Sequence, residues 1–340
     1  MEHTIQLKGT DLKVSPIAFG TVRAGLDWDG AAADEMLNHY VDHGGNLIDS
    51  ARVYYDWVEP EVGRSERVLG EWLRRSKRRN EIVLITKGGH PERHQMHISR
   101  MGQADMEYDL NLSLKTLGVD TIDIYFYHRD DPERSVGELL ERMEGFCKQG
   151  KIRYYGCSNW TTARMVQAEE YAKAHGIRGF VANQNLYNIA SDGMKPFDDD
   201  TMVTADDAML DFYRHSANTP MPYFSICSAF FHILAAKGED AVRSSCYFTP
   251  KNVALAQKID ELRQKYHCTI TQVLMGFYFT RDFTVIPLAG TADIPQLDDL
   301  LGSTDIRFDP KDFALQAEDD APLAKAYLNN VTKQLSATRR

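Results

Sequence analysis

EIVLITKGG, residues 81–89, is a short β-rich apolar run that closes on a lysine, Lys87, before two glycines. Two other runs end in chemistry in the same way. NLIDSARVY (46–54) places Asp49 and Tyr54 five residues apart, and TIDIYFYHRD (121–130) leads into His128. A carboxylate, a phenol, an ammonium and an imidazole therefore stand at the ends of three successive strand-like segments, the pattern expected of acid/base work on a barrel rim.

Working outward from these runs, strand-like segments alternate with segments of helical spacing. The strands are expected over 16–19, 47–49, 82–86, 122–127, 152–157, 180–184, 222–226 and 284–287. Helices are expected over 65–78 with Ser65 as cap, over 105–117 ending at Gly118, over 134–147 ending before Gly150, and over 161–175 ending at Gly176. Eight strand–helix repeats favour a (β/α)8 TIM barrel in a single domain spanning 1–340. The competitor, an open doubly wound sheet, would carry a glycine-rich dinucleotide fingerprint after an early strand; GTVRAGLDWDG (20–30) stands there instead. Residues 4–7 and 12–14 flank Lys8–Gly9–Thr10–Asp11 as an N-terminal β-hairpin that could plug the barrel bottom. Longer connections follow the sixth strand (188–204, with Asp198, Asp199 and Asp200) and the seventh (228–251).

At 340 residues and 43% apolar content the chain can bury a sizeable core. No stretch approaches the roughly 20 apolar residues of a membrane span, and the start MEHTIQLKG lacks the order of a secretory signal, so a cytoplasmic location is expected. Five scattered cysteines fit neither a disulfide framework nor a zinc set and read as reduced. A net charge of −10 without a basic stripe argues against nucleic acid. His90, His94 and His97 in GGHPERHQMH have spacings a metal could use, but Pro91 and the lack of helical pattern leave nothing to hold the rings on one face, and no metal is expected.

A phenol whose unperturbed pKa is near 10 can exchange protons at neutral pH if a lysine lowers that value and an aspartate fixes the lysine. Each residue alone has a plainer reading: a turn cap for Asp49, a surface ion pair for Lys87, a satisfied core histidine for His128. Their joint placement points to catalysis.

With these residues the chain resembles the aldo-keto reductases over nearly its whole length. Asp49, Tyr54, Lys87 and His128 match that family's catalytic tetrad; GRSERVLG (63–70), GKIRYYGCSNW (150–160) and NQNLYN (183–188) support the match. The resemblance implies an NADP(H) or NAD(H) oxidoreductase that interconverts a carbonyl and its alcohol. It also implies that Ser158, Asn159 and Gln184 hold the nicotinamide carboxamide. In PYFSICSAFF (222–231) the ring that stacks on the nicotinamide is Phe224, or Tyr223 in an ungapped register. In IPLAGTADIPQLDD (286–299), Gly290, Thr291, Asp293 and Asp299 lie where the family holds the adenosine phosphate. Asp293 stands where a basic residue is usual, which favours NAD or weak discrimination unless Asp293 simply caps the next helix. Trp28, Tyr55, Trp57 and Trp160 read as an exposed aromatic wall for a small-molecule aldehyde, ketone or sugar, with Asp56, Arg129 and Asp130 as polar contacts, although Trp28 or Trp57 could equally pack the loops against the barrel. The alternatives are a nicotinamide-binding regulatory or interaction subunit and a non-redox barrel enzyme.

Overall fold

The computed structural model describes residues 4–58, 61–314 and 320–338. Strands β1 (Ile5–Gln6) and β2 (Lys13–Val14) pair antiparallel as the hairpin. Eight strands then form one parallel sheet: β3 (Ala18–Gly20), β4 (Leu47–Asp49), β5 (Val83–Gly88), β6 (Ile122–Tyr127), β7 (Ile152–Ser158), β8 (Ala182–Gln184), β9 (Thr219–Pro220) and β10 (Leu288–Ala289). β10 pairs with β3, and the ring closes where Ile286 N–H donates to Pro220 O (3.0 Å) and Leu288 N–H to Pro222 O (2.9 Å). The architecture is the (β/α)8 barrel, with α1 (Gly30–Asp42), α2 (Arg64–Ser76), α3 (Gln103–Leu117), α4 (Val136–Lys148), α5 (Thr162–His175), α6 (Asp207–His215), α7 (Phe230–Lys237), α8 (Pro250–Tyr266), α9 (Ile270–Phe279), α10 (Ile294–Gly302) and α11 (Asp320–Thr338) around it. Among the described residues no helix is long and apolar enough to cross a membrane.

Strand alternation divides the apolar residues between two cores. Leu47, Val83, Ile85, Ile124, Phe126 and Tyr154 point into the barrel, whereas Ile48, Leu84, Tyr125 and Tyr155 face the helices. Leu7, Leu12 and Val14 of the hairpin join the interior cluster, so the hairpin plugs the N-terminal end of the barrel. Asp11 fastens the plug by accepting from Tyr154 OH (2.6 Å) and Arg153 Nη2 (2.8 Å). Gly156 on β7 is required by close packing: a Cβ there would stand 2.6 Å from the Phe126 ring, which fills the interior.

Three expectations are corrected. The seventh strand is Thr219–Pro220 rather than 222–226, because Phe224, Cys227, Ser228 and Ala229 all take positive φ and turn the chain out of extended structure. The eighth is Leu288–Ala289 rather than 284–287, displaced toward the mouth past Pro287, which has no amide hydrogen to give. Ser65 is not the cap of α2. Gly63, at φ 68°, makes that entry, and Ser65 is fully buried in the first turn. Gly118 and Gly176, both left-handed, end α3 and α5 as expected, and Thr161 caps α5.

Candidate active site

The same alternation that builds the interior core delivers the polar residues to its mouth. Asp49 follows Leu47 by two positions, Lys87 follows Ile85, His128 follows Phe126 and Ser158 follows Gly156, so each is the uppermost inward residue of its strand. Lys87 Nζ lies 2.7 Å from Asp49 Oδ2 and 2.7 Å from Tyr54 OH, and donates to Ser50 O at 2.8 Å. Tyr54 OH donates to Asp49 Oδ2 (3.1 Å), and Gln184 Nε2 donates to Asp49 Oδ1 (2.7 Å). The His128 ring meets Tyr54 edge to face with centroids 5.8 Å apart. The four residues the sequence singled out thus converge.

Asp49, Lys87 and His128 are buried and Tyr54 is half-buried, and burial governs their protonation. Burial, and then the Asp49 charge, raise the Tyr54 phenol well above its usual 10, so the expectation that Lys87 lowers it is corrected: the desolvated phenol is held neutral. Burial lowers the Lys87 ammonium, opposed by Asp49. His128 is pushed well below 6.5 by burial, then by His90, Arg129 and Lys87, and its Nδ1 is buried with no hydrogen-bond partner. At neutral pH the site therefore offers a neutral phenol beside a lysine held by Asp49, and a neutral imidazole.

GRSERVLG holds two residues whose local role sequence reasoning missed. Ser65 Oγ shares hydrogen bonds with Thr21 Oγ1 (2.7 Å) and Ser50 Oγ (2.9 Å) and donates to Thr21 O, while Thr21 Oγ1 donates to Asp49 O (3.0 Å). This hydroxyl chain ties the first turn of α2 to the backbone that carries Asp49 and receives Lys87. Glu66 accepts from Thr86 Oγ1 (2.6 Å) on the outer face of β5, and burial raises its carboxyl to about 7. The available signal was a pair of polar residues in the first turn of an amphipathic helix.

Ser158, Asn159 and Gln184 lie together at the ends of β7 and β8. Ser158 Oγ donates to Gln184 O (2.8 Å), and Asn159 Nδ2 donates to Ser158 Oγ (3.0 Å). Tyr223 OH donates to Asn159 Oδ1 (2.6 Å), whereas Phe224 is 41% exposed and meets Tyr223 edge to face. Gly290 approaches Gly20 across the β10–β3 pair, and Thr291 is buried, its carbonyl accepting from Trp28 Nε1. Asp293 caps α10: Oδ1 accepts from Gln296 N–H (2.9 Å) and Oδ2 from Gln296 Nε2 (2.8 Å). Asp299 turns to α9 and accepts from Thr269 Oγ1 (2.7 Å).

The aromatic wall divides. Trp57 is 46% exposed and stacks on Tyr55 (4.8 Å), at the mouth. Trp160, expected to be exposed, is instead buried, and so is Trp28, which takes the alternative of packing its loop against the barrel. The Trp28 N–H is satisfied by Thr291 O (3.1 Å) and the Trp160 N–H by Arg129 O (3.4 Å), and the rings pack against Phe19 and Phe180. An indole sealed in this way fixes its loop against the barrel. Arg129 is tied to Asp199 (3.0 Å), Thr201 (2.9 Å) and the His128 carbonyl (3.0 Å). Asp56 accepts from Gly63 N–H, and Asp130 pairs with Arg164. The three loop histidines separate: His90 packs beside His128, His94 is exposed, and His97 faces Asp200 at 3.6 Å. Among the described residues no group of three or more His, Cys, Asp or Glu could hold a metal ion.

The profile of the Aldo/keto reductase family matches residues 16–318. The chain belongs to that family. It is similar to an aryl-alcohol dehydrogenase of Pestalotiopsis microspora, 24% identical over 307 residues that span 85% of this chain and 74% of that one. A norsolorinic acid reductase B of Aspergillus parasiticus is 33% identical over 192 residues, 53% of this chain and 49% of its own length. An NADP+ aryl-alcohol dehydrogenase of Phanerodontia chrysosporium is 25% identical over 356 residues, covering 96% and 87%. As an aldo/keto reductase the enzyme is an NAD(P)-dependent oxidoreductase of the carbonyl–alcohol class.

Proposed function

We propose that this aldo/keto reductase interconverts aromatic aldehydes or ketones and their alcohols, with Tyr54 as proton donor and acceptor. The observation that carries the reading is the Lys87 ammonium 2.7 Å from both Tyr54 OH and Asp49 Oδ2 at the barrel mouth. A bound nicotinamide supplies the hydride. Tyr54 OH gives its proton to the carbonyl oxygen as negative charge gathers there, and the Lys87 charge stabilises the phenolate left behind. Asp49 holds Lys87 and Tyr54 in place, and neutral His128 offers an N–H that orients the carbonyl. An aromatic substrate is favoured by the Tyr55–Trp57 stack and by Phe224 beside Phe197 (5.8 Å), and by the activity for which the aryl-alcohol dehydrogenase relatives are named.

Ser158, Asn159 and Gln184 suit the carboxamide of that cofactor: Gln184 Oε1 makes no hydrogen bond among the described residues and is free to accept one. Phe224 supplies the exposed apolar face, with Tyr223 holding Asn159 behind it. Gly290 and Thr291 stand at the end of β10 for the adenosine half. Asp293 spends its carboxylate on capping α10 and so does not by itself exclude a phosphate, but Ala292 and Asp293 leave no basic side chain in that stretch, and the two cofactors are expected to differ in dissociation constant by less than about 100-fold. Titration of protein fluorescence with each cofactor measures this, and a preference of several thousandfold for NADP would place an unrecognised cation at the phosphate.

Benzaldehyde turnover followed through the cofactor tests the activity. Lys87 loses its proton below its ordinary 10.5 while Tyr54 keeps its own above 10, so the alkaline limb of the rate belongs to Lys87. Lys87→Met should slow the reaction and remove that limb. A limb that stays in place would reduce Lys87 to a structural ion-pair partner.

A further inference from the structure

The loop after β5 carries a histidine that the chemistry above leaves unused. The His90 ring stands 4.7 Å from the His128 ring, edge to face at 73°, on the side of the mouth that Arg129 and Asp199 border. Its Nδ1 lies 2.6 Å from Pro91 O. A carbonyl only accepts, so Nδ1 bears the hydrogen and Nε2 keeps the lone pair. Burial, then Arg129, lower the ring to about 4, so it remains a neutral acceptor at pH 7. The neighbouring donors are engaged: Arg129 is bound to Asp199, Thr201 and the His128 carbonyl. Nε2 of His90 makes no hydrogen bond among the described residues, and the side chain is only half-buried. An acceptor therefore sits one ring away from the imidazole that orients the carbonyl, with no donor from the protein.

We infer that His90 Nε2 accepts a hydrogen bond from a substrate hydroxyl close to the reacting carbonyl, which makes hydroxylated aromatic carbonyls the preferred class. The inference rests on the reading of the site as an aromatic-carbonyl reductase and narrows it. A half-desolvated acceptor rewards a ligand that brings a donor and penalises one that buries it unpaired. His90 also adds an electron-rich nitrogen beside the carbonyl that a hydroxyl, but not an ether, can satisfy.

The test compares 2- and 3-hydroxybenzaldehyde with the methoxy analogues, which keep the oxygen and lose the donor. Wild-type enzyme should favour one of the hydroxyl compounds by about tenfold in kcat/KM, the worth of one neutral hydrogen bond. His90→Phe, which keeps a ring and loses the acceptor, should bring that ratio close to one; His90→Gln, whose side-chain oxygen can accept, should restore most of it. A ratio near one in the wild type, or a ratio that survives in His90→Phe, overturns the inference and leaves the aromatic-carbonyl reading standing. Absence of turnover for every aldehyde with either cofactor overturns that reading and the inference with it.

Discussion

The two ends of the barrel each bury a carboxylate on a strand, and they treat it differently. At the base, Asp123 on β6 is 4% exposed and receives the Leu84 N–H (2.9 Å), Arg79 (2.8 Å) and Arg153 (2.9 Å). At the mouth, Asp49 receives Lys87, Tyr54 and Gln184. The base thus uses guanidinium groups, which keep their proton at any working pH, and the mouth uses an ammonium, which burial can persuade to release it. The groups around Asp49 are also incompletely satisfied: His128 Nδ1 and Glu66 Oε2 are buried without partners. One end is built to hold charge still and the other to move a proton, although both use an acidic strand residue with nearby cations.

The largest effect should come from breaking the mouth. Tyr54→Phe keeps the ring and deletes the proton, so turnover should fall by about 10²–10⁴ while cofactor still quenches the fluorescence. Retention of wild-type turnover would move the proton donor elsewhere, His128 first. The base should fail in a different currency. Asp123→Ala leaves the Leu84 N–H unpaired and loosens Arg79 and Arg153, which keep Thr121 O and Asp11, and should cost about 2–4 kcal/mol in urea unfolding while kcat per folded molecule is kept. A fall in kcat with unchanged stability would erase the contrast between the ends.

The smallest effect sharpens the boundary between them. Glu66 titrates near 7 in the fold against about 4.5 unfolded. Its folded pKa is raised, so its contribution is fully present below about 4.5 and is lost as pH rises through 7. The loss is at most about 3 kcal/mol. Glu66→Gln cannot ionise, so the variant should gain stability relative to wild type between pH 5 and pH 8. An unchanged difference in unfolding midpoint across that range would mean that Glu66 stays charged behind Lys87.

The readable part of this molecule was the part with period. Strands β4 to β7 alternate cleanly, and their polar termini fall two residues beyond an inward apolar residue, so Asp49, Lys87 and His128 could be placed from the strand ends, while Ser158 came with the family resemblance. β9 and β10 could not, because Pro220, Pro222 and Pro287 break the donor pattern and each strand keeps only two paired residues. Trp160 was misplaced and Trp28 left open because an indole on a loop has the same sequence signal whether it faces solvent or seals the loop. His90 was read with His94 and His97, its neighbours in the chain, whereas its partner is His128 on the next strand. Contacts of that kind leave no local pattern.

Those prolines have a further consequence. Pro220 and Pro222 can accept across the closing seam but cannot donate, so the two bonds described there both run from the β10 side to the β9 side. The joints from β4 to β7 are longer ladders, with three, four and five paired residues. The barrel is therefore a cylinder with a zip, and thermal breathing should begin there: the amides of Ile286 and Leu288 would trade hydrogen for deuterium sooner than those of β5 and β6, and a chain cut and rejoined within the loop between those strands would lose least of its cooperative core.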